Sequence, residues 1–146
     1  MAVSQLWVVL LVLTDVGAVL IQQTPASISH SPGSPVRIEC IYTEATASSV
    51  FNWYRWHLDR EPENHFYSYP AGTITPSGEV DGFTARRPNN SHFYLESSSL
   101  QVNQSAVYYC AWNQDRNAGE AYFGDGTKLV VLGENDTIRP AKVTVF

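Results

Sequence analysis

The sequence predicts an all-β domain, a two-sheet Greek-key sandwich, and three observations carry that prediction. Cys40 and Cys110 lie far apart in a chain of 146 residues, with Trp53 after the first and Tyr108 two positions before the second. Apolar and polar residues alternate in several short runs, the pattern of strands with one buried face. Gly, Pro, Asn and Ser interrupt those runs at roughly ten-residue intervals, and no stretch sustains a helical period.

Taken in order, Leu6 to Leu13 is apolar but too short to span a bilayer, and Val16, Gly17 and Ala18 place small residues before a cleavage point. Residues 1–18 therefore read as a signal peptide, although the n-region lacks Lys and Arg and Asp15 lies near the cut. Entry into the secretory pathway puts Cys40 and Cys110 in an oxidising compartment, where they are expected to pair. The loop-entropy model values such a bridge at about 4 kcal/mol. Ser31 to Ser34 supplies a turn, after which Val36, Ile38 and Cys40 alternate with Arg37 and Glu39. Phe51 and Trp53 share a core face, while Asn52, Tyr54 and Trp56 point the other way. Two large aromatics on an outward row mark a face that a partner covers. Ala106, Tyr108 and Cys110 form the inward row of a strand. Tyr122 to Leu132 reads as the last strand, with Thr127, Leu129 and Val131 on one face and a bulge at Gly124 and Gly126. Gly133 to Pro140 is polar and reads as a linker. Ala141 to Phe146 resumes alternation, reads as the opening of a second domain, and is expected to be mobile without its partner strands.

The order Cys40, Trp53, Tyr108, Cys110 is that of an immunoglobulin variable-type (V-set) sandwich. In that fold a disulfide joins the sheets, a tryptophan packs on it and a tyrosine hydroxyl pins the corner before the second cysteine. The domain then covers residues 19–132. More specific motifs agree with one family. Gly33-Ser34-Pro35-Val36 leading to Cys40, Trp53-Tyr54-Arg55, and Ser105-Ala106-Val107-Tyr108-Tyr109-Cys110-Ala111 resemble the frameworks of T-cell receptor β chain variable regions. Phe123-Gly124-Asp125-Gly126-Thr127-Lys128-Leu129, within about 121–132, resembles a joining segment of receptor β chains and light chains; heavy chains place Trp first. Cys110-Ala111-Trp112 is similar to the end of certain β variable segments. Pro140 to Phe146 looks like the start of a β constant domain, which separates the β chain from a λ light chain.

The resemblance implies pairing with a T-cell receptor α chain and recognition of a peptide held by a major histocompatibility molecule. Signalling subunits would be reached through sequence downstream. Three loops carry over by position, at 43–50, 67–75 and 111–122. Candidate contacts are Glu44, Thr46 and Ser48 in the first and Tyr69 and Thr73 in the second. The third offers Trp112, Asn113, Gln114, Asp115, Arg116, Asn117, Gly119 and Glu120. Trp112, Arg116 and Tyr69 are the candidate anchors, with Trp112 evenly balanced between projecting and belonging to a strand end. Asp115 and Arg116 are expected to pair with each other at the surface. Tyr54, Trp56, Tyr109 and Phe123 are the candidate partner-chain interface. Two departures from the family concern three positions. Trp56 stands where a glutamine usually bonds its counterpart across the chain interface, so it would bury its ring there instead. Gly82 and Gln104 replace a frequent Arg–Asp pair at the base, and losing both partners together should cost little.

Other chemistry is disfavoured. The formal charge is −5 with no basic cluster, which argues against nucleic acid and anionic membranes. His30, His57, His65 and His92 sit in no metalloprotease pattern, although His57 and Asp59 could orient one another; there is no nucleophile elbow, so no catalysis is expected. Gly124-Asp125-Gly126 lacks the third glycine and helix of a phosphate loop. With both cysteines in a bridge, no metal and no cofactor are expected. Asn89, Asn103 and Asn135 open glycosylation sequons. Two other readings stay open: an antibody light-chain-like variable domain, and a homophilic adhesion domain associating through Tyr54 and Trp56.

Overall fold

Two antiparallel-dominated sheets face one another across a shared core, as the period-two alternation requires. This computed structural model describes residues 19–133 apart from Glu79 and Ala118. The signal segment, the linker beyond Gly133, Asn135 and the run Ala141 to Phe146 lie outside the described residues. The first sheet contains β1 (Gln22–Thr24), β3 (Val36–Ile41), β8 (His92–Ser97) and β7 (Thr84–Arg86), in that order. The second runs β2 (Ser27–His30), β11 (Thr127–Val131), β9 (Ala106–Asn113), β4 (Val50–Trp56), β5 (Glu63–Ser68) and β6 (Thr75–Pro76). A short β10 (Tyr122–Phe123) also pairs with β9. All strand pairs are antiparallel except β2 with β11. That exception comes from the chain crossing from the first sheet to the second between β1 and β2.

Cys40 on β3 and Cys110 on β9 form the disulfide that joins the sheets. Trp53 lies beside Cys110 in the β4–β9 register and stacks on Phe93 of the opposite sheet, with centroids 5.6 Å apart. Phe51, Ile38, Leu95, Leu129 and Val131 complete the buried interior. Thr127, Leu129 and Val131 share the inward face, as their spacing predicts. Asn52 departs from expectation. It points away from the core but is buried, because Asn64 on β5 covers it and donates its amide to Asn52 Oδ1 at 2.8 Å.

The base of the sandwich is closed by hydrogen bonds that compensate the missing charge pair. Asn103 sits in a single 3₁₀ turn, Val102–Gln104. The Gln104 side chain returns over that turn, accepting from the Gln101 amide at 2.7 Å and donating to the Asp81 carbonyl at 2.6 Å. The Tyr108 hydroxyl donates to the Gln104 carbonyl at 2.6 Å, which is the expected corner contact. Gly82 has φ of +84°, and a Cβ there would approach Gln104 Nε2 at 3.3 Å, so glycine and amide fit as a pair. The charge at this end is carried by Arg55 instead. Its buried guanidinium donates to Asp81 at 2.6 Å and Glu63 at 2.9 Å. Burial alone would lower its pKa, but those carboxylates outweigh burial and hold it above its ordinary value.

His65 is fully buried beside this network, packed on Phe66, Phe83 and Tyr108. Burial, and then the charge of Arg55, push its pKa down to about 4. The ring is therefore neutral in the fold, while in the unfolded chain it titrates near its ordinary 6.5. Between those values the unfolded state binds the extra proton, so stability is complete above pH 6.5 and falls as pH drops toward 4. The loss should be on the order of 3 kcal/mol by the conversion of about 1.4 kcal/mol per unit. Denaturant titrations of the parent and His65→Phe across pH 7 to 4 test this. The variant should lose most of that slope, and parallel profiles would exclude His65 as its source.

Candidate functional site: an aromatic face and a loop end

Two features stand out at the surface, and the same local device builds the first. Between Phe123 and Thr127 the chain advances four residues while β9 retreats three, from Ala111 to Tyr108, which makes the expected one-residue bulge. Gln23 on β1 fills it from inside. Its amide donates to the Tyr108 carbonyl at 2.7 Å and Thr127 Oγ1 at 3.0 Å, and its oxygen accepts from the Cys110 and Gly126 amides. A Cβ at Gly124 would stand 2.6 Å from Gln23 Oε1, and one at Gly126, whose φ is +94°, would stand 2.6 Å from Tyr109 Cε1. The two glycines thus make room for the clamp on one side and the Tyr109 ring on the other. Gln23 belongs to no motif in the linear sequence, and its one signal is inward parity with the buried Ile21.

With Tyr109 laid across the bulge, the second sheet presents an aromatic face. Trp56 and Tyr109 have centroids 6.3 Å apart, and Tyr54 and Phe123 5.8 Å. Together with Pro62 they line an apolar slot of about 400 Å³. Trp56 is 45% exposed and Phe123 55%. Large aromatics left this open along one face cost hydration that a partner surface would recover.

The second feature is the end of the sandwich where the β3–β4, β5–β6 and β9–β10 connections meet. The first loop is a tight turn, with the Ser49 amide on the Thr46 carbonyl at 3.0 Å and the Thr46 amide on Ser49 Oγ at 2.9 Å. The Ala71 amide in the second loop donates to the Ala47 carbonyl in the first at 2.9 Å. Glu44, Thr46, Ser48, Thr73, Gln114, Asp115, Arg116, Asn117, Gly119 and Glu120 are exposed there, and Tyr69 and Asn113 are half-buried. Glu44, Thr46, Ser48, Gln114 and Asp115 border a cleft of about 300 Å³ floored by Tyr42 and Trp112.

Three expectations about these loops change. Strand β9 continues through Ala111, Trp112 and Asn113, and Tyr122 opens β10, so the projecting part is shorter than 111–122. Trp112 is only 8% exposed and packs edge-on against Tyr42 at 4.5 Å, which makes it a core side chain rather than a projecting anchor. Asp115 and Arg116 do not pair. Asp115 accepts from the Asn117 amide at 2.7 Å, and the Arg116 guanidinium lies over the Tyr69 ring at 4.8 Å, where a cation–π contact is favoured over an exposed ion pair. The neck of the loop is closed by Asn113 Nδ2 donating to the Glu120 carbonyl at 2.7 Å.

The expected mutual orientation of His57 and Asp59 is not formed. His57 faces Glu63 at 3.9 Å, while Asp59 pairs with Arg60. Asn89 and Asn103 are both exposed; Asn89 Oδ1 accepts from the Ser91 and His92 backbone amides.

Residues 23–132 match the immunoglobulin V-set domain model. The chain belongs to the immunoglobulin V-set family. It is 37% identical over 113 residues to a mouse T-cell receptor alpha chain V region, CTL-F3, covering 76% of this chain and 80% of that one. It is also 37% identical over 94 residues to human T cell receptor beta variable 30, covering 64% and 82% respectively. A rabbit Ig kappa chain V region, K-25, is 33% identical over 116 residues, with 80% and 100% covered. The V-set protein is thus an antigen-receptor variable domain of the T-cell receptor and immunoglobulin type, and its relatives include both α and β chains. Domains of this family are in general not enzymes, and such relatives imply pairing with another receptor chain.

The placement of Trp112 and Arg116 separates stability from contact in this V-set domain. Trp112→Ala should cost about 3–5 kcal/mol as a core truncation, whereas Arg116→Ala should stay within about 0.5 kcal/mol. Guanidinium unfolding of the two variants distinguishes these roles, and equal losses would contradict them.

Proposed function

We propose that this domain is the variable part of a T-cell receptor β chain, which recognises a peptide presented by a major histocompatibility molecule together with an α chain. The observation that carries the reading is the coexistence of one open aromatic face with one separate polar loop end. A receptor half needs both: a surface to bury against its partner domain and another left free for ligand. The β-type assignment rests on the Pro140 to Phe146 run, which resembles a β constant domain, while the joining motif Phe123-Gly124-Asp125-Gly126 disfavours a heavy chain. The signal reading of residues 1–18 supports delivery to the outside of the plasma membrane. Asn89, Asn103 and Asn135 are the proposed glycan acceptors.

At the partner face, Trp56 replaces the amide that would hydrogen-bond across a symmetric interface. Its ring and those of Tyr54, Tyr109 and Phe123 make the contact by apolar burial, with the indole N–H left at the wet rim. Within the loop end, Tyr69 and Arg116 act as one stacked unit, and the exposed amides and carboxylates around the cleft supply adaptable hydrogen bonds.

Co-expression of the chain, extended through its constant region, with α chains, with antibody heavy chains or alone tests the reading. Selective recovery with α chains is expected. Recovery with heavy chains would assign a light-chain-like domain, a reading that the kappa relative favours, and stable self-association would assign an adhesion domain. Trp56→Glu should weaken pairing by at least about thirtyfold, the scale of an interface hot spot, while leaving the thermal midpoint of the isolated chain nearly unchanged. Unaltered pairing would remove Trp56 from the interface.

A further inference from the structure

Among the described residues, Arg87 is a strongly buried cation whose hydrogen bonds reach no carboxylate. It follows β7 on the inward parity of Phe83 and is 4% exposed. Its Nη1 donates to the Ser49 carbonyl at 2.9 Å and to the Ser68 carbonyl and hydroxyl, both at 3.3 Å. Its Nη2 donates to the carbonyls of Thr46 at 3.0 Å and Asn90 at 3.1 Å, and Nε reaches Asn90 at 3.3 Å. The guanidinium also lies over Phe51 at 4.9 Å. All of these acceptors are neutral, so attraction to a counter-ion does not explain the burial, which is costly for a charge. Burial lowers its pKa to about 10, which still leaves it charged at neutral pH. What the site uses is the planar fork, which alone among side chains offers five donors in fixed directions.

We infer that Arg87 is a positioning residue for the loop end, its buried guanidinium tying the turn at Thr46 and Ser49 to the end of β5 at Ser68. The turn that leads into β4, the end of β5 and the Asn90 backbone are thereby held at one point. The arrangement passes outward through contacts already described. The first loop holds the second through Ala47 and Ala71, and the second holds the third through Tyr69 and Arg116. A buried side chain beneath the first loop therefore sets how the loops stand relative to one another. The functional meaning rests on the proposal that this end meets ligand, but the geometry itself does not.

Site-resolved amide hydrogen exchange on the oxidised full chain tests the inference, comparing the parent with Arg87→Met and Arg87→Lys. Met keeps similar length and removes every donor; Lys keeps the charge and loses the fork. In both variants the amides of Thr46, Ser49 and Ala71 should exchange roughly tenfold faster, since buried carbonyls lose their partners and the turn opens locally. Amides in β3, β4 and β9 should keep parent rates. Unchanged exchange at the three loop amides, or equal acceleration across those strands, would overturn the inference and leave Arg87 a general stabiliser of the fold. If Arg87→Met fails to fold, Arg87→Lys carries the same comparison. Neither ligand nor partner chain is present, so failure here is separate from failure of the pairing experiment.

Discussion

The bridge from Cys40 to Cys110 is the constraint on which the rest of the structure depends. It ties the central strand of one sheet to the central strand of the other, and the largest core side chains are arranged around it. Trp53 sits beside Cys110 in register and reaches Phe93 on the far sheet, so one tryptophan seals both sides of the covalent link. The Tyr108 hydroxyl, two residues before the bridge, fixes the 3₁₀ turn that enters β9. With β9 held at both points, its outward side chains and its exit into the third loop have little freedom. Both candidate surfaces are consequences of that one anchored strand.

Polar groups inside the domain do a second job, which is to fix backbone that strand pairing cannot. Gln23 satisfies donors and acceptors of the bulge from four residues at once. Gln104 and Arg55 close the base, and Arg87 closes the opposite end beneath the first loop. An unpaired buried group would cost more than these bonds contribute in net terms, so each network is effectively all or none. This accounts for the tolerance of Gly82 and Gln104 at the base. The amide replaces the charged pair by bonding to the Asp81 backbone, and no unpaired charge remains from the exchange.

The separation of the two surfaces also follows from strand geometry. Residues that alternate with the core on β4 and β9 must emerge on the outer face of the same sheet, which collects Tyr54, Trp56 and Tyr109. Loops leave from the strand ends and cannot lie on that face. An aromatic side and a separate loop tip are thus built into the architecture.

Much of this was legible in the sequence because it depends on local period and spacing. The two cysteines, Trp53 and Tyr108 specified the sandwich and its corner, and alternation placed Thr127, Leu129 and Val131 inward and Trp56 outward. The bulge at Gly124 and Gly126 was legible as glycine punctuation. What only the tertiary structure decided were the contacts between segments distant in the chain. Trp112 could project or pack until Tyr42 was placed beside it. Arg116 could pair with its neighbour Asp115 until Tyr69 offered a ring at closer advantage. Gln23 and Arg87 look like ordinary polar residues in the linear chain, and their parity with buried neighbours is a weak signal. Their roles exist only where three or more backbone segments converge, because a hydrogen-bond donor acquires a function from its acceptors, and most of those acceptors lie far away in the chain.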